Sequence, residues 1–488
     1  MELKIKASNW SAGFPVCILN EKTSEKIGVH AGDRINIKTK SKEISSIIDT
    51  SFKGVGLDEI EISNEIKTRM NLKPGQKVSV NIAPPPESVV HIKKKLIGKK
   101  LDNKEIRCII QDVVKNNLSQ PEIAMFISAM YDKGMDFNET VSLVEAISET
   151  GKKMSFRNKY VVDKHCIGGI AGNRTTPIVV SICAAAGLIF PKTSSRAITS
   201  AAGTADTIEV LSPVEFEMDK LKKIVQKTNG CLAWGGGLGM VPADSKIIKI
   251  EKILKIDPTS QLLASIISKK LASGSKYVLI DIPYGKNAKV SRFKGIILKR
   301  KFEKLGKHFG LKMRVVLTSA REPIGRGVGP ALEIKDVINV LNPKQKGEED
   351  LKNKSIFLAG EIFESVGITK KGRDMAREIL ESGKAFEKFK EIIEAQGGKI
   401  KEIENSAIKK NIFSSKNGRV VEIHNKKIND LARISGCPVD KFAGVYLHKK
   451  TRERVKKGEL LLTIYAESKN RLREAEKYYH CSKPIKIR

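Results

Sequence analysis

The stretch SSRAITSAAGTADTIE, residues 194–209, combines small and hydroxyl side chains with one arginine, and it contains no lysine and no aromatic residue. Small side chains let backbone N–H groups come close to a bound molecule, while the Ser and Thr hydroxyls and the Arg196 guanidinium supply hydrogen-bond donors. This composition is typical of a loop that cradles an anion. A small-residue turn that packs against a helix is the alternative for this loop taken alone.

A second candidate anion loop has the sequence DKHCIGG and covers residues 163–169. It follows a strand-like segment at residues 160–162 and precedes a helix of small residues that runs through residues 184–186. A strand, a glycine-containing loop and a helix in this order direct the N–H groups of the helix start towards a phosphate. Two such loops in one domain predict a phosphate that is held from two sides.

The composition narrows the class of protein. The 488 residues are enough for about three domains, and 40% of them are hydrophobic, so sizeable cores can form. Lysine and arginine number 89 against 55 acidic residues, which gives a net charge of +34 spread along the whole chain. Aromatic residues make up only 5%, so stacking platforms for single-stranded nucleic acid are scarce. We expect a basic surface that attracts small anions, with a dedicated nucleic-acid-binding protein as the alternative outside the enzymes.

The cysteines and histidines give no sign of disulfide or metal chemistry. The seven cysteines include no CxxC pair, and the seven histidines are not paired with acids at ligand spacing. The MELK start is unlike a signal peptide, and the most apolar stretch, residues 178–190, is too short to span a bilayer. We therefore expect a cytoplasmic protein with reduced thiols, no metal, no cofactor and no membrane partner.

The patterns along the chain predict a multi-domain α/β fold. A glycine turn followed by an alternating strand pattern occurs at Gly32 and again at Gly75, which predicts a small β-barrel-like domain over residues 1–83. Alternating strand and helix patterns further on predict an α/β domain with a central mixed sheet. The remaining ranges are a helical domain, the α/β phosphate-binding domain and a C-terminal α+β appendage: residues 87–157 plus about 243–273, about 160–240 plus 275–410, and 411–488.

Three motifs match a known family in order and spacing. They are SSRAI with AAGT, Asp206 and IE inside residues 194–209, the DKH and GG of residues 163–169, and SIISKK at residues 265–270. Together they resemble the thymidine and pyrimidine-nucleoside phosphorylases, and the N-terminal module is similar to the extension of the archaeal AMP phosphorylase branch. The resemblance implies a helical domain, an α/β domain, an active site in the cleft between them, and a homodimer or larger homo-oligomer.

The resemblance also implies a reaction, which is the reversible phosphorolysis of AMP to a free base and ribose 1,5-bisphosphate. The substrates are then AMP, with CMP and UMP as further candidates, and inorganic phosphate; the enzyme would be a pentosyltransferase, a kind of glycosyltransferase. A thymidine or pyrimidine-nucleoside phosphorylase is the alternative, and so is a related phosphoribosyltransferase of the anthranilate type. Two departures count against the thymidine enzymes: Cys166 and Ile167 replace two hydroxyl residues, and no arginine lies between Arg196 and Arg292 to grip a pyrimidine.

A purine leaving group is best expelled by protonation at N7, which requires a carboxylic acid with a raised pKa in a semi-enclosed cleft. Asp257 is the predicted proton donor, and an Asp that caps the helix starting near Pro258 is the alternative. By matching position, Lys164, Ser194 and Thr204 are predicted to hold phosphate, and Arg196 and Lys289 to supply charge for the 5′-phosphate. The residues predicted to bind AMP are Gly169, Ser195, Arg196, Ala197, Ile198, Thr199, Ser200, Thr204, Ser265 and Lys289.

Overall fold

The computed structural model of the protein describes residues 1–157, 159–197 and 200–488. Its strands are β1 (Glu2–Ile5), β2 (Val16–Asn20), β3 (Arg34–Lys38), β4 (Glu43–Ser51), β5 (Glu59–Ile62), β6 (Lys77–Ile82), β7 (Val162–Cys166), β8 (Phe190–Ser194), β9 (Gly230–Trp234), β10 (Tyr277–Tyr284), β11 (Lys312–Ser319), β12 (Gly327–Val328), β13 (Lys409–Phe413), β14 (Gly418–Ile423), β15 (Gly444–Leu447), β16 (Arg454–Val455), β17 (Leu460–Tyr465) and β18 (Ile485–Ile487). Its helices are α1 (Glu21–Ile27), α2 (Asn64–Met70), α3 (Ser88–Leu96), α4 (Asn103–Lys115), α5 (Gln120–Lys133), α6 (Phe137–Glu149), α7 (Thr175–Ala185), α8 (Thr204–Ile208), α9 (Met218–Thr228), α10 (Pro242–Leu254), α11 (Thr259–Ala272), α12 (Arg292–His308), α13 (Pro330–Leu341), α14 (Glu349–Val366), α15 (Gly372–Glu381), α16 (Lys384–Ala395), α17 (Asn425–Ser435) and α18 (Lys469–Ser482).

These elements divide into two compact units. The first unit comprises Met1–Thr150 and Pro242–Ala264, and the second comprises Gly151–Val241 and Ser265–Arg488. The first unit therefore contains both the β-rich module and the helical segments. The finer division into the sequence-predicted domain ranges stays a prediction.

The first unit begins with a closed barrel in which the strands follow the order β1, β5, β2, β4, β3, β6. Its internal repeat is visible in the element order, because β2, α1 and β3 recur as β5, α2 and β6. Gly32 and Gly75 have positive φ angles of 93° and 79° in the turns before β3 and β6, a conformation that favours glycine. Alternate residues of the strands point inwards, and the isoleucines at 35, 37 and 60 are fully buried.

The helical part of the first unit contains α3 to α6 and α10. Helix α5 follows Ser119, whose side chain accepts from the Glu122 N–H, and Gly134 ends the helix. The next helix, α6, begins at Phe137 and is capped by Asp136. Asp136 accepts from the N–H of Glu139, so a carboxylate provides this cap.

The second unit contains an α/β domain, and the strands of its central sheet run parallel. One sheet has the order β11, β10, β7; β8 pairs with β9, and Val161 bridges to Ile189 between β7 and β8. The prediction of a central mixed sheet is wrong for the described residues of this domain. A helix follows each of β7, β8 and β10 before the next strand, and such crossovers return the chain in the same direction.

The C-terminal part of the second unit is an α+β appendage. Antiparallel strands form one sheet in the order β12, β15, β17, β13 and another in the order β16, β14, β18. α17 and α18 pack with them around a separate apolar cluster. Across the residues that the structure describes, every helix is too short or too polar to cross a membrane.

Candidate functional site

The loops that contain or adjoin the predicted ligand residues of the second unit lie at the carboxyl ends of parallel strands. The predicted loop 163–169 is shorter than expected, because residues 163–166 belong to β7. β7 ends at Cys166, β8 ends at Ser194 and β10 ends at Tyr284. The carboxyl ends of parallel strands meet at one edge of a sheet, and that edge is where α/β proteins bind ligands. We refer below to three loops, which are the first loop (residues 167–174), the second loop (195–203) and the third loop (285–291).

The first and third loops touch each other at two of the predicted site residues. Gly169 has a φ angle of +94°, and a β-carbon added to it would lie 2.8 Å from the backbone nitrogen of Lys289. A side chain at position 169 would therefore collide with the backbone of the third loop. The structure brings the predicted residues Gly169 and Lys289 together.

Lys164 is buried at the end of β7, with a side chain that points at the start of α7. Its Nζ donates to Thr175 Oγ1 at 2.9 Å and to Thr176 Oγ1 at 3.3 Å. Burial lowers the pKa of Lys164 to about 8, against the opposing effect of Asp281. A buried ammonium group at a helix N-terminus is well suited to receive an anion.

Lys164 belongs to a buried charge cluster in which lysines outnumber aspartates. Asp163 Oδ2 accepts from Lys270 Nζ at 2.7 Å, and Asp163 Oδ1 lies 3.3 Å from Lys192 Nζ. Asp281 pairs with Lys354 at 3.0 Å and accepts from Thr318 Oγ1 at 2.6 Å. The cluster thus consists of Lys164, Lys192, Lys270, Lys354, Asp163 and Asp281. Its surplus of positive charge would be balanced by a bound anion.

His165 is adjacent to this cluster. Burial, reinforced by the positive charge of Lys270, lowers the pKa of His165 well below its ordinary value. The imidazole is therefore neutral at physiological pH, and a neutral imidazole is a poor proton donor. Next along the chain, Cys166 Sγ accepts from Asn173 Nδ2 at 3.4 Å, so the thiol occupies a polar position beside the first loop.

The second loop is held in shape by Asp206. Asp206 Oδ2 accepts from the N–H groups of Ala197 at 2.7 Å and Gly203 at 2.8 Å. A β-carbon on Gly203 would lie 2.4 Å from the Ser195 carbonyl oxygen, so the two ends of the loop are in close contact. The predicted residues Ile198 and Thr199 lie outside the described part of the chain.

The hydroxyl groups at the ends of the second loop have defined partners. Ser194 Oγ donates to the Ala233 carbonyl at 3.2 Å, and Ser200 Oγ donates to the Ala202 carbonyl at 2.7 Å. Thr204 Oγ1 accepts from Arg174 Nη1 at 3.0 Å, which leaves its own O–H to donate elsewhere. Arg174 also donates to the Ala202 carbonyl at 2.8 Å, and so it joins the first loop to the second.

Arg196 is surrounded by carboxylates of its own unit. Its guanidinium donates to both Glu209 oxygens at 2.8 Å, to Glu215 at 3.0 Å and to Asp206 at 3.3 Å, and it lies over the Trp234 ring. The guanidinium of Arg196 lowers the pKa of Glu209 to about 2. These carboxylates neutralise the charge of Arg196, which was predicted to be available to a phosphate.

Ser265 and Asp257 belong to different units. Ser265 is buried on α11, and its Oγ accepts from Lys269 Nζ at 3.0 Å; the neighbouring Lys270 reaches Asp163 of the charge cluster. Asp257 belongs to the first unit and is exposed, and its role as proton donor stays a prediction. Helix α11 begins at Thr259 and the Leu262 N–H bonds the Pro258 carbonyl, so Asp257 precedes the cap position.

Several site residues were missed in the sequence analysis. Arg174 carried no signal of its own, because its partners Thr204 and Glu333 are distant along the chain. The buried lysines at 192 and 270 could have been recognised in the sequence, because each interrupts a segment of small and apolar residues. Among the described residues, no group of three or more His, Cys, Asp or Glu is arranged to hold a metal ion.

Family models cover most of the chain. The helical bundle domain of the glycosyl transferase family matches residues 90–151, and the α/β domain of that family matches residues 158–386. The C-terminal domain of the pyrimidine nucleoside phosphorylases matches residues 419–486. The last match begins within β14 and ends within β18, so it corresponds to the C-terminal appendage.

Relatives of nearly equal length include three archaeal proteins. The chain is 43% identical to an AMP phosphorylase of Thermococcus kodakarensis and 43% identical to one of Pyrococcus furiosus, each over 100% of this chain and 98% of the relative. It is 41% identical to AMP phosphorylase 1 of Archaeoglobus fulgidus, over 98% of this chain and 96% of the relative.

A solved structure shares the fold. The anthranilate phosphoribosyltransferase of Thermus thermophilus superposes with a TM-score of 0.53 and 18% identity, over 63% of this chain and 99% of that protein.

Proposed function

The chain belongs to the archaeal AMP phosphorylase branch of the pyrimidine nucleoside phosphorylase family, and on that premise we propose that it catalyses the phosphorolysis of AMP. The products are adenine and ribose 1,5-bisphosphate. Within the structure, this proposal is supported by the buried charge cluster around Lys164. The surplus positive charge of the cluster lies beside the first loop, where we expect inorganic phosphate to bind.

In the proposed reaction, a phosphate oxygen attacks C1′ of the ribose while the bond from C1′ to N9 breaks. The electron pair of that bond moves into the purine, and a proton delivered to N7 neutralises the leaving base. The transition state has oxocarbenium character at C1′, as in glycoside hydrolysis. Asp257 donates the proton, and the nucleotide itself would enclose this exposed carboxyl group when it binds.

The phosphate is held by Lys164, Ser194 and Thr204. The Lys164 ammonium contributes charge, and the Thr204 hydroxyl has a free donor because its oxygen already accepts from Arg174. Ser194 donates to a backbone carbonyl in this structure and would turn its hydroxyl towards the phosphate. The predicted nucleotide contacts are made by Gly169, Lys289, Ser265 and the second loop from Ser195 to Ser200.

A side-by-side assay of base release tests the function. Phosphate-dependent release of base is measured from AMP, CMP, UMP, adenosine and thymidine, in the presence of EDTA. Release from monophosphates alone, with ribose 1,5-bisphosphate as the second product, is the expected result. Release from thymidine or adenosine instead would contradict the proposal, and loss of activity with EDTA would contradict a reaction without a metal cofactor.

We further propose that the protein acts in the cytoplasm as a homodimer or larger homo-oligomer. Buried, unpaired thiols at Cys17, Cys183, Cys231 and Cys437 support a reducing compartment. Light scattering of the purified enzyme tests the assembly.

A further inference from the structure

A short stretch of the C-terminal appendage contacts all three ligand loops, although none of the roles above involves it. This stretch, residues 422–429, covers the end of β14 and the first turn of α17. Asn425 and Asn429 lie four residues apart on α17 and therefore on one face of the helix. Their side chains are 0% and 7% exposed, so each amide needs a partner inside the protein.

Asn425 bonds to the first loop. Its Oδ1 accepts from the Ala171 N–H at 3.1 Å, two residues beyond Gly169. Its Nδ2 donates to the Ala320 carbonyl at 3.0 Å, at the carboxyl end of β11. The side chain thus joins the first loop to the end of a neighbouring strand, and both of its polar atoms are used.

Asn429 bonds to the second loop. Its Oδ1 accepts from the Ala201 N–H at 3.0 Å. Ala201 lies between the predicted nucleotide-binding residues Ser195 to Ser200 and the predicted phosphate ligand Thr204. A hydrogen bond from α17 therefore fixes the second loop two residues before its end at Gly203.

Glu422 bonds to the third loop. Its Oε1 accepts from Asn287 Nδ2 at 2.8 Å, two residues before Lys289, and its other oxygen accepts from Lys486 Nζ at 2.7 Å. Lys486 belongs to β18, so the carboxylate is fixed from the appendage side.

We propose that residues 422–429 form a three-point clamp that holds the first, second and third loops in the arrangement that substrates require. In this clamp, Asn425 positions the first loop, which continues directly from the strand that holds the predicted phosphate ligand Lys164. Asn429 positions the second loop, which holds the predicted nucleotide contacts; the assignment of substrates to loops rests on the function proposed above. Each residue acts through a loop and does not touch the substrate. Side chains on a helix and a strand are suited to this because packing fixes their positions.

Paired substitutions separate positioning from general stability. Asn429→Leu removes the acceptor at similar volume, whereas Asn429→Asp keeps an oxygen for the Ala201 N–H. We expect Asn429→Leu to raise the KM for AMP about tenfold with a smaller change in the KM for phosphate, and Asn429→Asp to restore it. For Asn425→Leu we expect the reverse, which is a larger increase in the KM for phosphate than in the KM for AMP.

Two further variants complete the set. Asn287→Asp places a second carboxylate against Glu422. We expect the repulsion to displace the third loop, which contains Lys289, and so to raise the KM for AMP. This partly exposed variant keeps the test valid if the buried Leu variants fold poorly. Lys426→Ala, an exposed change on the same helical turn, is the control that should leave both KM values unchanged.

Hydrogen exchange of the full-length protein provides a readout that does not depend on activity. The Leu variant at 425 should expose the Ala171 amide and the Leu variant at 429 the Ala201 amide, each without effect on the other loop. Equal changes in both KM values, in step with the melting temperature and without local exchange, would overturn the clamp. If the wild-type protein releases no base from AMP, the proposed function fails, and local exchange still decides for or against the clamp.

Discussion

The backbone of Gly169 lies directly against that of Lys289, so that a β-carbon at position 169 would fall 2.8 Å from the Lys289 nitrogen. The neighbour is a backbone atom, which cannot move aside as the end of a flexible side chain could. The positive φ angle of Gly169, +94°, adds the strain that side chains experience in this conformation. The contact fixes the distance between the first and third loops.

We predict that Gly169→Ala lowers kcat/KM for AMP phosphorolysis at least tenfold, because the third loop must move to admit the methyl group. Gly168→Ala is the matched control. Gly168 has a φ angle of +89°, and no atom of the described residues lies within 4 Å of the place that its β-carbon would take, so that variant bears only the backbone strain. Steady-state kinetics together with the melting temperature separate the two effects; equal losses in both variants would contradict the prediction.

Lys164→Met should weaken the response of the protein to phosphate. A charge-assisted hydrogen bond contributes about 1.5–3 kcal/mol, so the KM for phosphate should rise about ten- to hundredfold. Phosphate should also lose its ability to raise the melting temperature. The exposed Lys276 provides the control, as Lys276→Met leaves both measurements unchanged.

The binding of phosphate should weaken with rising pH. The pKa of Lys164 is lowered to about 8 and that of Lys270 to about 7, so both lysines lose their protons as the pH rises through this range. A deprotonated lysine no longer attracts an anion, and the KM for phosphate should therefore increase from about pH 7.5 to 9.5. The increase near pH 8 should be absent from Lys164→Met; a flat profile in the wild-type protein would count against the cluster as the phosphate site.

The sequence predicted the local features of this protein better than the distant ones. The barrel repeat depends on turn and strand patterns within a few residues, and it is present. The strand predicted at residues 160–162 lies at Val162–Cys166, so the DKHC part of the predicted loop is strand. The direction of strand pairing was wrong, because the sequence pattern of a buried strand is the same for parallel and mixed sheets. Strand direction follows from the crossover helices and not from the strand residues.

The partners of the site residues could not be predicted from the sequence. Lys164 and Gly169 were identified from the DKHCIGG segment itself, but Asp163 pairs with Lys270 and Ala171 bonds to Asn425, far along the chain. Arg196 is an example. An arginine side chain is suited to bind phosphate, but the fold places Arg196 among carboxylates. Charge type is visible in a sequence, whereas charge neutralisation depends on the fold.

We predict that Arg196→Met loosens the second loop and lowers stability at neutral pH. The pKa of Glu209 is depressed to about 2, so its pairing with Arg196 stabilises the folded state above the ordinary pKa of a glutamate. This stabilisation is lost as the pH falls towards 2. The difference in melting temperature between the wild-type protein and Arg196→Met should thus narrow below about pH 4.5. A difference that stays constant with pH would indicate lost packing instead. Arg196→Lys keeps the positive charge and serves as the comparison.

Asp257→Asn separates the two interpretations of the residue that precedes α11. Asn is as good an N-cap as Asp and has nearly the same volume, so the change should alter the melting temperature only slightly. Asn cannot deliver a proton. If Asp257 is the general acid, kcat for AMP should fall about 10²- to 10⁴-fold with little change in the KM for AMP. The leaving base provides an internal control: a departing uracil spreads its charge over its own oxygens, so the decrease should be smaller with UMP. A loss that is equal for both substrates, or that follows the melting temperature, would remove Asp257 from the chemical step.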